Sequence, residues 1–173
     1  FVGAQAAIKH HLKRDSFEGL TVALQGLGHV GYDYARRLHA AGAKLVVADI
    51  DSAALERARV ELGATVVAPD AIYDVEADIY APCALGATLN PDTLGRLKAR
   101  IVAGAANNQL ATADVGDMLR QKGVLYAPDF VINAGGIIKV CYEYLKKPEA
   151  DVEAHVREIG DTLSESLTRA EAQ

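Results

Sequence analysis

Residues 26–31 read Gly-Leu-Gly-His-Val-Gly, and their setting constrains the fold more than any other feature of the chain. A β-rich run, Thr21, Val22, Ala23 and Leu24, leads in. Val30, Tyr34, Leu38 and Ala41 follow at helical spacing, and a second apolar run, Lys44–Ala48, ends in the acid Asp49. Strand, glycine-rich turn, helix, strand and acid within about thirty residues is the order of a βαβ dinucleotide-binding unit. Gly26 turns the chain sharply off the strand. Gly28 lacks the Cβ that would hold a pyrophosphate away from the backbone, and Gly31 lets the helix pack closely on the strand. Unpaired N–H groups at the helix N-terminus, helped by its dipole, then face the phosphates. Asp49 stands about twenty residues past the glycines, where a carboxylate accepts hydrogen bonds from an adenosine ribose. A glycine turn that binds nothing would not need that acid.

The alternation continues along the chain. The spacing predicts a helix over Val2–Leu12 with Ile8 and Leu12 on one face, a turn at 15–19, and Gly42 just past the helix of the βαβ unit. Asp51 or Ser52 caps a helix striped with Leu55, Ala58 and Leu62 and stopped by Gly63. Strands are predicted at 64–68, 78–81, 101–104 and 124–126. Asn90 followed by Pro91 opens one helix between them, and Thr112 is expected to cap another that runs to Gln121. Helices over 137–145 and 151–169 close the chain. The second carries Val152, Val156, Ile159, Leu163 and Leu167 on one face, with the i,i+4 pairs Glu153–Arg157 and Glu165–Arg169 on its wet side. Strands alternating with helices predict an α/β fold. It is a doubly wound, mostly parallel sheet in three layers, α/β/α, a Rossmann-type dinucleotide-binding domain.

A chain of 173 residues suits one such domain and is short for two. A net charge of −5 and the lack of a basic stripe argue against nucleic acid as a partner. No apolar run is long enough to span a membrane, and no signal-peptide pattern is present. Cys83 and Cys141 stand far apart with no CxxC, which suits a reducing cytoplasm, and the histidines form no metal-ligand pattern. The chain opens on Phe1 and not Met, and reads as a piece of something longer.

In an open α/β sheet, ligands sit outside the carboxyl ends of the strands. Three loops fall there: Ala-Pro-Cys-Ala-Leu-Gly at 81–86, Gly-Ala-Ala-Asn-Asn-Gln at 104–109, and Ala-Pro-Asp-Phe-Val-Ile-Asn-Ala-Gly-Gly at 127–136. Their small residues let a flat ring lie close to backbone, and Asn107, Asn108 and Asn133 are placed to fix its polar atoms.

The run 22–51 and these loops, with Asn-Asn-Gln-Leu at 107–110 and Pro-Asp-Phe-Val-Ile-Asn-Ala-Gly-Gly at 128–136, carry a resemblance over nearly the whole chain. It resembles the cofactor-binding domain of the amino-acid dehydrogenase family acting on glutamate, leucine, phenylalanine and valine, closest to the members that act on leucine. The resemblance implies oxidative deamination, in which hydride passes from the α-carbon of an L-amino acid to NAD+ and ammonia and a 2-oxo acid are released. It implies a single NAD-binding domain over 1–173, part of a longer two-domain enzyme that is a homo-oligomer when whole. Gly26, Leu27, Gly28, His29, Val30 and Gly31 would hold the pyrophosphate, with Asp49 and Ile50 at the adenosine. Cys83, Ala84, Asn107 and Asn108 would line the path to the nicotinamide, and Asn133 would lie beside it. Ile137 and Val140 match positions that shape the substrate pocket, and both are aliphatic, which favours a branched-chain substrate such as leucine.

The chain departs from the family's usual asparagine at His29 and at Lys139. The family's catalytic lysines and aspartate come from an N-terminal domain that has no counterpart here, so no residue of this chain is assigned a catalytic role. The chain alone is expected to bind NAD(H) without turning over an amino acid. Asp49, with Asp51 close behind and no Arg following, favours NAD over NADP. Two alternatives stand beside this reading: a relative acting on phenylalanine, tryptophan or valine, and a stand-alone NAD(H)-sensing module that uses 151–169 to meet a partner.

Overall fold

The computed structural model describes residues 1–171. Helix α1 (Val2–Leu12) ends where Lys13 turns left-handed, at φ 55°. Strand β1 (Thr21–Gln25) leads into α2 (His29–Ala40), then β2 (Lys44–Ala48). Gly42, at φ +84°, makes the turn between α2 and β2 as its spacing predicts. Asp51 caps α3 (Ser52–Leu62) by accepting the Ala53 N–H, and Gly63 stops it at φ 60°. Next come β3 (Thr65–Val66), a 3₁₀ turn (Ala71–Asp74) and β4 (Ile79–Pro82). Helix α4 (Pro91–Arg96) has a full capping box, in which Asn90 and Thr93 each bond the other's backbone. The remainder is β5 (Ile101–Val102), α5 (Asp114–Gln121), β6 (Leu125–Tyr126), α6 (Asp129–Ile132), α7 (Gly135–Tyr144) and α8 (Glu149–Glu171).

The six strands are parallel throughout, in the order β3-β2-β1-β4-β5-β6. Successive strand residues point to opposite faces, and the core divides accordingly. Val22, Leu24, Leu45, Val47, Ile79, Ala81 and Ile101 join a cluster with residues of α1, α2, α3 and α8. Ala23, Ala48, Tyr80 and Val102 join another with α4, α5 and the 3₁₀ turn. Sheet and two helical layers make the expected three-layer sandwich. The strand order reverses between β1 and β4, which opens a crevice at their carboxyl ends.

Several local expectations are corrected. The strand read over 64–68 is only Thr65–Val66, because it is an edge strand paired with β2 alone and Pro69 follows. Strands read at 101–104 and 124–126 shorten to two residues each, while the strand read at 78–81 extends through Pro82. Thr112 does not cap α5: Ala113 holds that position with no side-chain bond. Val30 is 64% exposed and leaves the buried stripe of α2, which consists of Gly31, Tyr34, Ala35 and Leu38 with Tyr32. The loop read over 127–136 contains α6, and α7 begins at Gly135, two residues before the expected start. The tail helix keeps its predicted face and both ion pairs, Glu153–Arg157 at 3.6 Å and Glu165–Arg169 at 2.6 Å. It packs on α1 closely enough that a Cβ on Gly160 would meet Val2 Cγ1 at 3.1 Å.

Candidate functional site

The crevice is built from turns that press on one another. Gly26 leaves β1 at φ +100°, a conformation open to glycine. A Cβ there would lie 2.7 Å from Ala84 N and 2.8 Å from the Cys83 carbonyl carbon, so the turn after β1 rests on the turn after β4. A Cβ on Gly31 would lie 2.0 Å from Gly26 O, so α2 can approach the strand only with glycine there. Gly28 differs from both. It is the N-cap of α2 in extended backbone, and a Cβ added to it would meet nothing within 4 Å. Its open side leaves a cradle that an anionic group could enter, over the free N–H groups that begin α2. His29 and Val30 are exposed at the same helix start, and Leu27 buries its side chain in the core and leaves only backbone to the crevice.

Asp49, at the end of β2, faces this turn. Its Oδ2 accepts the Leu27 N–H and its Oδ1 accepts the Asp51 N–H at 2.8 Å. Ile50 beside it is 94% exposed. Below them, Gln25 Oε1 accepts the Tyr80 hydroxyl, and its Nε2 donates to Pro69 O at 3.4 Å. Burial raises the Tyr80 pKa, so that hydroxyl stays a donor.

The turns after β4, β5 and β6 continue the same edge. Cys83 donates its N–H to Gln25 O at 2.7 Å. Burial pushes its thiol up to about 11, against a backbone hydrogen bond from Ala105 that opposes the shift. Ala84 is exposed next to it. A Cβ on Gly86 would meet Asn108 O at 2.8 Å and Asn107 O at 2.9 Å, and the Ala87 N–H bonds Asn108 O at 2.7 Å. Asn107 in turn accepts from Asn133 Nδ2 at 2.6 Å. The structure thus brings Gly26, Gly31, Cys83, Ala84, Asn107, Asn108 and Asn133 into one chain of contacts and joins Asp49 to Leu27. Ile137 and Val140 are outside that chain of contacts, one turn apart on the exposed face of α7. Lys139 reaches Glu143 at 3.8 Å and stays exposed.

Two residues that sequence reasoning passed over help to build this edge. Gln109 is fully buried and donates to Gly104 O and Ala106 O, each at 3.0 Å. Asp129 accepts the Gln109 N–H at 3.1 Å. Both lie inside the loop motifs, but nothing in a one-dimensional pattern distinguishes a buried amide from a solvated one. Among the described residues no group of His, Cys, Asp or Glu is arranged to hold a metal, both cysteines are free, and no helix is long and apolar enough to cross a membrane.

Residues 50–170 match the family described as glutamate/leucine/phenylalanine/valine dehydrogenase. The chain is 55% identical over 143 residues to leucine dehydrogenase of Thermoactinomyces intermedius, a match covering 83% of this chain and 39% of that protein. The crystal structure of L-tryptophan dehydrogenase from Nostoc punctiforme superposes with a TM-score of 0.92 at 45% identity, over 95% of this chain and 49% of that one. The hetero-hexameric glutamate dehydrogenase from Thermus thermophilus (Leu bound form) superposes at 0.74 with 22% identity, over 97% of this chain and 44% of that one, and speaks for the fold alone. The chain therefore spans less than half the length of each of these proteins.

Proposed function

The chain belongs to the glutamate/leucine/phenylalanine/valine dehydrogenase family, and from that premise we propose that it is the NAD-binding domain of a longer L-amino-acid dehydrogenase acting on a branched aliphatic substrate, leucine first. The observation that carries the reading is Gly28, open on the side where a Cβ would stand, at the N-terminus of α2 and beside Asp49. The fit of these residues to a dinucleotide follows from their chemistry. The α2 N–H groups favour anionic phosphate. The Asp49 carboxylate has lone pairs left for ribose hydroxyls after accepting from Leu27 and Asp51. The same charge repels a 2′-phosphate, which supports NAD over NADP.

Once bound, NAD+ would supply the hydride acceptor for oxidation at an amino acid's α-carbon, with a 2-oxo acid and ammonia as the products. Asn107, Asn108 and Asn133 orient the carboxamide end, and the small side chains of Cys83 and Ala84 leave room for a flat ring. Exposed Ile137 and Val140 give an aliphatic wall to a substrate held between this domain and another. No residue here is proposed to carry the proton, so the chain alone binds cofactor without turnover. The full protein is read as a cytoplasmic homo-oligomer, in keeping with the resemblance.

The test is calorimetric titration of the 173-residue chain with NADH and with NADPH. NADH binding with NADPH much weaker supports the reading, and binding of neither removes it. A second reading, an aromatic substrate, is favoured by the 0.92 superposition on a tryptophan dehydrogenase. Relative kcat/KM of the full-length protein on leucine, phenylalanine and tryptophan separates the two.

A further inference from the structure

Tyrosines apart, Gln109 is the only polar or charged residue that is buried among the described residues, at 0% exposure. Its Nε2 donates to Gly104 O and to Ala106 O, both at 3.0 Å. Two carbonyl partners settle which end of the amide is nitrogen. Its Oε1 finds no hydrogen-bond partner among the described residues. An acceptor buried without a partner is unfavourable, and an apolar side chain of equal reach would avoid that cost. What the amide provides in return is its pair of N–H donors, which close the turn 104–108 on itself.

That turn is held from a second side by α6. At one end of α6, Asp129 Oδ2 accepts the Gln109 N–H at 3.1 Å. At the other end, Asn133 Nδ2 donates to Asn107 Oδ1 at 2.6 Å and reaches Ala106 O at 3.5 Å. The Ala106 carbonyl is therefore shared between Gln109 and Asn133. A change in the Gln109 amide moves the oxygen against which Asn133 is set.

We propose that Gln109 is a positioning residue: its buried amide holds the turn 104–108 in the shape that lets Asn107, Asn108 and Asn133 meet the nicotinamide half of the cofactor. This rests on the NAD reading above. Gln109 is buried and touches no ligand, so it acts through the three asparagines. The adenosine and pyrophosphate half, built on Gly26–Gly31 and Asp49, does not depend on it.

The experiment is Gln109→Met in the same chain, which keeps reach and removes both donors. It is titrated with NADH and with ADP-ribose, which lacks the nicotinamide, and side-chain amide NMR of Asn107 and Asn133 is recorded without ligand. The expected result is about tenfold weaker NADH, ADP-ribose within about twofold of wild type, and both amide signals shifted. A merely structural defect weakens both ligands alike; that result, or an unchanged NADH affinity, overturns the proposal. If the wild-type chain binds neither ligand, the NAD reading falls and the amide signals decide: shifted signals keep the positioning role, unmoved ones end it. Should Gln109→Met not fold, Gln109→Glu serves. Its isosteric carboxyl donates, through a single O–H, only when protonated, so the preference for NADH over ADP-ribose rises as the carboxyl takes up its proton between about pH 9 and about pH 5. A flat profile overturns the proposal.

Discussion

The Asp49 carboxylate accepts the backbone N–H of Leu27, the residue between the first two glycines of the turn after β1. The acid therefore braces the turn, and in the proposed NAD site it would also meet the ribose. Asp49→Ser shortens the side chain and removes the charge from both roles. NADH affinity should fall about tenfold, the loss of one charge-assisted hydrogen bond, while NADPH affinity holds or rises because the repulsion is gone. Paired calorimetric titrations check this. An unchanged NADH/NADPH ratio would show that Asp49 plays no part in cofactor choice.

Two neighbouring glycines of that turn should separate binding from stability. A Cβ on Gly31 would lie 2.0 Å from Gly26 O, so Gly31→Ala must displace backbone and should cost about 1–3 kcal/mol. A Cβ on Gly28 meets nothing, and its φ of −61° suits alanine. Gly28→Ala should therefore change stability by less than about 1 kcal/mol, the cost of a poorer N-cap, and weaken NADH at least about tenfold by filling the cradle. Urea unfolding alongside titration reads both quantities. A Gly28→Ala chain that binds NADH normally would place the phosphate elsewhere.

These contrasts show what was legible in the sequence. The run from Thr21 to Asp49 could be read because each residue type there answers a local need. Gly26 and Gly31 stand where a side chain would collide, an acid stands at a strand end, and apolar residues other than the exposed Val30 recur at helical spacing. The capping of α4 by Asn90 and the buried face of α8 were legible for the same reason, since both depend on neighbours within a turn or two. The start of α5 was not. Thr112 has a good capping side chain, yet the helix starts from Ala113 without a side-chain bond. Nor was α6, whose four residues are too few to show a period. In the candidate site, the asparagines could be named from composition, but the bonds that join Asn107 to Asn133, and Gln109 to Asp129, span 26 and 20 residues. Their pairing follows from tertiary closure of three separate turns, which no local pattern encodes.

The two thiols should differ sharply in reactivity. Burial pushes Cys83 up to about 11, so at pH 8 only about one molecule in a thousand carries its thiolate, while Cys141 is exposed on α7. Titration with a chromogenic disulfide should release about one equivalent quickly and the second far more slowly, because Cys83 is partly exposed but seldom ionised. Fast release of two equivalents would mean that the turn after β4 opens readily in solution.

Acid should expose a smaller linkage on α2. Arg37 Nε and Arg36 Nη2 each approach the Asp33 carboxylate to 2.7 Å, Arg37 the stronger influence, and hold its pKa below the usual carboxylate range. A folded pKa below the unfolded one, about 3.9, adds stability that is complete above the unfolded value and is lost as pH falls through the folded value. The side chain is nearly half exposed, so solvent screens the pair and the contribution is a few tenths of a kcal/mol. Asp33→Asn should be less stable than wild type by about that amount at pH 7, and the gap should close as pH falls through the folded pKa and both chains come to carry a neutral group at this position. Urea unfolding across an acid pH series measures it. A gap that stays constant would assign the cost to lost helix packing and not to the carboxylate's charge.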